Sequence, residues 1–320
     1  MNEADIDRRL RLLPPIRRAR FWRLYAEDGR RYLDLFQDGG RGILGARQAR
    51  MALGIKAAVD RGLDRPLPSR LEARLEKAVL ALAPAAKAFR IYRNEEEALA
   101  ILARIAGSDA AEAIASGIFD SPLILDPARK TQDGKDGRSK ALARLIRPFA
   151  SWLPPSPAPL PRIALPLLPL PRGMAPAILL FEEAEEAEMA GPSRLVSPLA
   201  LRAVLDALAT LAAYQGGAAG SGADAAAASG PGPSAGAAVK PAYHAKADEA
   251  HWRRIDRRTK GLFDRSGPWL YPRAGIEDWD RIFEEALASG ILLSPDPGLP
   301  SILPGDFDDG EIAPLANIRP

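Results

Sequence analysis

The sequence contains no cysteine and only two histidines in 320 residues. Without cysteine, disulfide bonds, thiolate zinc sites and thiol nucleophiles are all excluded. Two histidines are too few for a histidine-rich metal centre, and we expect no bound metal. Serine–histidine catalysis would have to use His244 or His251. Neither residue lies in a Gly-x-Ser-x-Gly context or at metal-ligand spacing, so a hydrolase is only a remote alternative.

The sequence also lacks a long apolar run. No stretch approaches the roughly 20 consecutive apolar residues that a membrane-spanning helix needs. Residues 1–7 contain three acidic side chains and no apolar core, so they do not resemble a secretory signal. We therefore expect a soluble, cytoplasmic protein that has no membrane partner.

Neither sign of charge is in large excess. The 44 Lys and Arg residues and the 41 Asp and Glu residues leave a formal net charge of +3, which argues against nucleic acid as a partner. Two basic clusters, one of them a predicted arginine-rich first helix, keep an anionic-partner or nucleic-acid-binding module open as an alternative, although charge runs are usually solvated faces. The clusters are Arg8, Arg9, Arg11, Arg17, Arg18, Arg20 and Arg23, and Arg253, Arg254, Arg257, Arg258 and Lys260.

The remaining patterns indicate a globular chain with helices and strands. The composition is 47% hydrophobic and 27% charged, and a chain of this length can bury a full core. Asp28-Gly29 lies between two strand-like runs and predicts a hairpin over residues 21–36. A Gly-rich elbow follows at residues 39–45, and then a predicted helix that Gly62 ends.

Local signals predict further elements in the middle of the chain. Ser69 and Glu72 predict a capping box, and Ser197-Pro198 predicts the start of another helix. Because prolines are confined to sheet edges and bulges, the proline-dense run around residues 163–168 is an edge strand at best. We predict strands at residues 88–92 and 177–181, a helix at residues 95–106, a helix at residues 279–287 that Gly290 ends, and a strand at residues 291–293.

Several of these segments together resemble a known family. The residues that carry the resemblance are Leu24 to Asp34, Gly42-Ile43-Leu44-Gly45, Arg61-Gly62-Leu63, Phe89 to Tyr92, Trp279 to Phe283 and Ala288 to Pro295. Their order and spacing resemble class III aminotransferases, the fold-type I enzymes that depend on pyridoxal phosphate, and within that class glutamate-1-semialdehyde aminomutases. The chain looks like a shortened, degenerate member.

The resemblance implies a fold and an assembly. We expect an α/β protein with a reduced aminotransferase-like large domain, a mixed sheet flanked by helices, and a small α+β domain made from both chain ends. Residues 1–65 would contribute to the small domain, 66–215 form the large domain, 216–240 a Gly/Ala/Ser/Pro linker and 241–320 the C-terminal small domain. Family members are homodimers, so a homodimer, or a heterodimer with an intact relative, is implied.

The lysine that forms the family's Schiff base has no counterpart here. Matching Gly173-Met174 to the family's turn places that lysine at Leu168, and no lysine lies between Lys140 and Lys240. The alternative is an enzyme with a relocated lysine, either Lys130, Lys135 or Lys140. These three residues lie in a polar stretch where an exposed amine would stay protonated.

Two further positions of the family's cofactor site also argue against cofactor binding in this chain. Where the family binds phosphate at a helix N-terminus, this chain has Asn94-Glu95-Glu96-Glu97, and Glu95 replaces a glycine that allows close backbone approach. The one candidate for the aspartate that steadies the cofactor ring is Asp126, although an aspartate before a proline at a strand end more often forms a turn.

We therefore expect no bound cofactor, no catalytic residues and no aminotransferase activity. The chain would be a pseudoenzyme that has a binding, scaffold or regulatory role. Only about a hundred residues separate Glu95 from Ser197, which is too few for a complete doubly wound sheet, so several central strands are expected to be missing.

Overall fold

The computed structural model describes most of the chain. The described residues are 3–46, 49–83, 86–108, 111, 143–146, 163–214, 249–266 and 268–320. Asp126, the lysines at positions 130, 135 and 140, and the predicted linker at residues 216–240 lie outside them. None of the described helices is long and apolar enough to cross a bilayer.

The described helices and strands alternate along the chain. The helices are α1 Glu3–Leu10, α2 Ala49–Asp60, α3 Leu71–Leu82, α4 Glu95–Ala106, α5 Ala184–Ala190, α6 Pro198–Tyr214, α7 Glu249–Thr259, α8 Trp279–Ala288 and α9 Asp309–Ile312. The strands are β1 Ile16–Arg20, β2 Arg23–Ala26, β3 Arg31–Asp34, β4 Ala88–Tyr92, β5 Ala143–Ile146, β6 Ile163–Pro166, β7 Ala177–Phe181, β8 Phe263–Ser266, β9 Trp269–Pro272, β10 Ile291–Leu292 and β11 Ser301–Ile302.

A small sheet joins the two ends of the chain in the order β1-β2-β3-β10. β2 and β3 form the predicted hairpin, with Leu24 opposite Tyr32, and β10 pairs with β3 in parallel. One apolar cluster contains Leu33 from the first end and Ile282 and Phe283 from the second, all buried. β8, β9 and β11 form a second small sheet.

The larger sheet has the order β4-β7-β6-β5. β7 runs antiparallel to β4 and β6, whereas β5 runs parallel to β6. β4, β5 and β6 therefore point the same way. The prediction that residues 163–168 form an edge strand is wrong, because β6 lies between β5 and β7. The sheet tolerates proline there because Pro166 is the last residue of β6, beyond the Ile163 and Ala164 pairs with β7.

The predicted arginine-rich first helix is also wrong. α1 ends at Leu10, and three of the arginines lie in β1, which pairs with β2. Arg8 and Arg9 contact the Asp280 carboxylate of α8, with Arg8 Nη2 at 2.8 Å from Oδ1. In the first basic cluster, Arg8 and Arg9 thus attach α1 to α8, whereas the arginines of β1 belong to a mostly exposed strand.

Two helices approach each other closely above the larger sheet. Gly54 of α2 lies against Asp206 of α6, whose carboxylate is 2% exposed. Arg50 Nε donates to Asp206 Oδ1 at 3.1 Å, and Arg202 Nε donates to Oδ2 at 2.8 Å. A β-carbon at Gly54 would lie 2.3 Å from Asp206 Oδ2. Glycine is therefore required by packing at this position.

The expected fold class is confirmed. The described chain combines a mixed sheet flanked by helices with a small α+β unit whose sheet contains both chain ends. The boundaries at residues 65, 215 and 240 stay predictions.

Candidate functional site

The candidate site lies at the edge where the parallel strands of the larger sheet end. Ligands of α/β sheets bind outside the carboxyl ends of such strands. β4 leads there into Asn94 and α4, while β6 leads into residues 167–170 and a 3-10 turn at Arg172–Met174. This edge therefore contains two of the positions that the family resemblance singled out, Leu168 and Glu95.

Leu168 belongs to the apolar core at this edge. Its side chain is 2% exposed and clusters with Leu170, Ile178 and Leu180. A buried aliphatic side chain has no nitrogen with which to attack a carbonyl carbon. Lys87, which precedes β4 at the opposite end of that strand, pairs instead with Glu183 at 2.9 Å. No Schiff base can form at residue 168.

The start of α4 is capped by side chains. Asn94 has an extended conformation, and its Oδ1 accepts a hydrogen bond from Glu97 N at 2.9 Å. Glu97 Oε2 in turn accepts from Arg93 N at 3.1 Å, and Glu97 Oε1 accepts from Arg194 Nε at 2.7 Å. These reciprocal bonds form a cap that fixes the helix start.

The Glu95 carboxylate is held by an arginine that the sequence did not single out. Arg41 Nη2 donates to Glu95 Oε2 at 2.6 Å, and the Arg41 side chain is only 9% exposed. Burial lowers the pKa of Arg41, and the Glu95 charge opposes that shift. A guanidinium nevertheless stays protonated in proteins, so this is a charged pair. The only sequence signal for it was a basic residue inside the Gly-rich elbow.

The turn that leads to Arg41 is strained and densely bonded. Gln37 and Asp38 have positive φ angles of 48° and 47°, which non-glycine residues seldom adopt. The buried Gln37 Nε2 donates to Ile302 O at 2.9 Å, while no described residue bonds its Oε1. Asp34 Oδ1 accepts from Phe36 N at 3.0 Å and from Gln37 N at 2.8 Å. These bonds hold the strained turn and orient Arg41.

Two carboxyl groups in this turn titrate unusually. Burial raises the pKa of Asp34 to about 6, against the lowering effect of its two backbone hydrogen bonds. Burial also raises the pKa of Asp38, while Arg172 and Arg41 oppose that shift. The turn therefore carries less negative charge at mildly acidic pH than its sequence indicates.

Replacing Asp34 by asparagine tests this titration. A raised folded-state pKa means that the folded protein binds the proton more tightly, so stability falls as pH rises from about 4 to 6. Asparagine keeps an acceptor for both backbone donors. A shift of about two units corresponds to about 3 kcal/mol at most, and since Asp34 is only half-buried, we expect Asp34→Asn to gain about 1–2 kcal/mol above pH 6.

The measurement is urea unfolding between pH 4 and pH 8. The variant should show a flatter curve than the wild type in the window from pH 4 to 6. Asp64→Asn, at an exposed position, is the matched control and should follow the wild type. Parallel curves for Asp34→Asn and the wild type would contradict the assignment to Asp34.

The other residues singled out from the sequence are not brought to this edge. His251 is 8% exposed, lies 3.6 Å from Asp309 Oδ1 through Nδ1, and packs against Phe307 in the core shared by the chain ends. His244 and Asp126 lie outside the described residues. Within the described ranges, no group of three or more His, Asp or Glu side chains is placed to hold a metal ion.

Sequence comparison finds relatives along the whole chain and in one part of it. A protein of unassigned function from Treponema pallidum is 28% identical over 315 residues, covering 94% of this chain and 92% of that protein. A glutamate-1-semialdehyde 2,1-aminomutase from Heliobacterium modesticaldum is 35% identical over 91 residues, covering 28% of this chain and 21% of that enzyme. No family model matches.

Solved structures share the fold along nearly the whole chain. An N-acetylornithine aminotransferase from Stenotrophomonas maltophilia superimposes with a TM-score of 0.55 at 15% identity, covering 94% of each chain. An ornithine aminotransferase from Plasmodium yoelii superimposes with a TM-score of 0.58 at 11% identity, covering 98% of this chain and 96% of that one. At these identities the likeness establishes the fold.

The expectation of no bound cofactor is contradicted by the solved structures that share this fold. The FumI protein of Sphingopyxis, with a TM-score of 0.53 at 14% identity and coverage of 98% and 94%, was solved as its pyridoxal phosphate internal aldimine form. Pyridoxal phosphate is therefore the cofactor to which the fold points. The described residues do not fit it in the manner the family resemblance implies, because Leu168 supplies no amine and Glu95 places a carboxylate at the helix start.

The assembly stays a prediction, and so does the compartment. The sequence-based resemblance, in contrast, is confirmed by the superpositions and by the partial match to an aminomutase. The chain therefore has, in shortened form, the fold of the class III, fold-type I aminotransferases.

Proposed function

We propose that this chain is an aminotransferase-fold protein that performs no transamination through residue 168 and acts instead by binding. The observation that carries the proposal is Leu168, 2% exposed in the apolar core at the position implied for the Schiff-base lysine. Transamination needs a covalent carbon–nitrogen linkage that a hydrocarbon side chain cannot make.

The electrostatics of the edge support the same proposal. Glu95 is neutralised by Arg41, which comes from the elbow after β3, and Glu97 is neutralised by Arg194, which precedes α6. Both ion pairs connect α4 to other parts of the chain. The carboxylates of Glu95 and Glu97 thus hold elements of the chain together, as expected in a scaffold.

The proposal concerns the missing amine and is separate from affinity for pyridoxal phosphate. When bound to an enzyme, that cofactor supplies an electron sink for carbanions. The chain could hold the cofactor without a covalent bond, and a useful experiment must measure the two properties independently.

The test is borohydride reduction of the purified protein after incubation with pyridoxal phosphate. We expect the intact mass to show no stoichiometric adduct, and we expect no amino transfer from glutamate or alanine above the buffer rate. Equilibrium dialysis of the unreduced sample measures noncovalent binding separately, so retention of the cofactor would not be confused with lysine chemistry.

The outcome that overturns the proposal is a stoichiometric adduct mapped to Lys130, Lys135 or Lys140 together with measurable amino transfer. That result would establish an enzyme with a relocated lysine. The matched control is Lys87→Gln, which removes an exposed lysine on the opposite side of β4. If the adduct disappears in Lys87→Gln, the label was on an exposed surface lysine and is nonspecific.

A further inference from the structure

The second basic cluster, on α7 and the residue after it, borders a cavity. Five residues line this cavity, which has a volume of about 630 Å3. The lining residues are Arg253, Arg254, Asp256, Arg257 and Lys260. Arg253, Arg257 and Lys260 follow the i, i+4, i+7 spacing that places side chains on one helix face. α7 itself packs through Ile255 into the core shared by the chain ends.

The carboxylates near the cavity are already paired. Asp256 Oδ2 accepts from Arg265 Nη2 at 3.0 Å, and Arg265 also lies over the Trp252 ring, 4.6 Å from its centroid. Asp309 Oδ2 accepts from Arg254 Nε at 3.0 Å. The single acidic group of the lining is thus neutralised by an arginine that does not line the cavity.

Two cations of the lining remain without a counter-charge. Arg257 and Lys260 are exposed, and within the described part of the chain no acceptor pairs with either side chain. Arg273 Nη1 donates to Lys260 O at 2.9 Å, and Arg273 is itself paired with Asp264, Nε to Oδ1 at 3.3 Å.

Cations in the last turn of a helix are often explained by the helix dipole, which favours positive charge there. This accounts for Arg257 and Arg258, which lie in the last turn of α7. It also favours Lys260, whose N donates to Asp256 O at 2.9 Å at the helix end, but it does not account for Arg253, one turn earlier. Nor does it account for a concave surface lined by four cations.

We propose that this cavity binds a small molecule carrying two or more linked phosphate groups. Its volume lies within the range of about 300–1,000 Å3 that is typical of small-molecule sites. Linked phosphates match the two lining cations that have no counter-charge among the described residues, Arg257 and Lys260, and an arginine fork binds phosphate oxygens in pairs. A nucleic-acid strand would need a longer basic track, whereas the whole chain has a net charge of only +3.

Calorimetric titration with inorganic pyrophosphate and triphosphate tests the proposal on the full chain. We expect saturable binding, with triphosphate tighter than pyrophosphate and both tighter than orthophosphate. Arg257→Gln combined with Lys260→Gln should weaken triphosphate binding by at least about tenfold, because each removed cation contributes a charge-assisted contact. Both residues are exposed, so unfolding in urea should be unchanged.

The matched control is Arg11→Gln combined with Arg17→Gln, which removes two exposed cations far from α7 in sequence. Its affinity should stay within about twofold of the wild type, since neither residue lines the cavity and exposed charges outside a site are screened by salt. Equal weakening in both double variants would overturn the proposal, as would affinity that does not rise from orthophosphate to triphosphate. Tighter binding of a single-stranded oligonucleotide, lost in the α7 variant alone, would assign the cavity to nucleic acid instead.

Discussion

Gly54→Ala is expected to lower the free energy of unfolding by about 2–3 kcal/mol, although alanine is usually the better helix residue by about 1 kcal/mol. The new β-carbon would lie 2.3 Å from Asp206 Oδ2 and 3.1 Å from Arg202 Nε. The Asp206 side chain cannot swing away cheaply, since it is 2% exposed and bonded by two arginines. Displacing it would separate a buried carboxylate from its partners.

Urea unfolding with a matched glycine provides the measurement. Gly310→Ala in α9 introduces a β-carbon that meets no atom within 4 Å, and it should change stability by no more than about 0.5 kcal/mol. If Gly54→Ala were as stable as the wild type, α2 and α6 could not pack as closely as described at Asp206.

Leu168→Lys is expected to lower the free energy of unfolding by about 3–5 kcal/mol. The substitution removes a leucine that is 2% exposed among Leu170, Ile178 and Leu180, and it introduces an amine that loses its hydration there. A lysine at this position would therefore destabilise the apolar core, whether or not it could form a Schiff base. The urea midpoint at neutral pH measures the loss.

The control for this prediction is Leu195→Lys, at a position that is 43% exposed. A lysine there can keep its amine in water, so the expected change is no more than about 0.5 kcal/mol. A Leu168→Lys variant as stable as this control would mean that residue 168 faces an open, solvated site. It would also weaken the proposal of a non-transaminating protein.

Local sequence signals predicted those elements whose determinants are themselves local. α4 begins after Asn94 because that side chain caps the helix, and α6 begins at Pro198, where Ser197 Oγ accepts from Ala200 N at 3.2 Å. Gly290 has a φ of +79°, which ends α8 as expected. β7 was predicted from a continuous apolar run, which is typical of a strand buried on both faces.

Features that depend on partners distant in sequence were predicted less well. β1 has an arginine-rich sequence that resembles a helix face, and it becomes a strand because β2 pairs with it. The Arg41–Glu95 pair joins residues 54 positions apart, so no periodicity could indicate it. The expectation about the cofactor failed because it rested on a few single positions, such as Leu168 and Glu95, whereas the whole-chain fold points to pyridoxal phosphate.

The parallel pairing of β3 with β10 also constrains how the protein is made. During synthesis, β2 and β3 can form their hairpin early, but β10, the strand beside β3, follows more than 250 residues later. Until then, the apolar face of the hairpin has no α8 or β10 to cover it. The sheet of the small unit can therefore be completed only after β10 has been synthesised, and until then its hairpin exposes apolar side chains that favour aggregation.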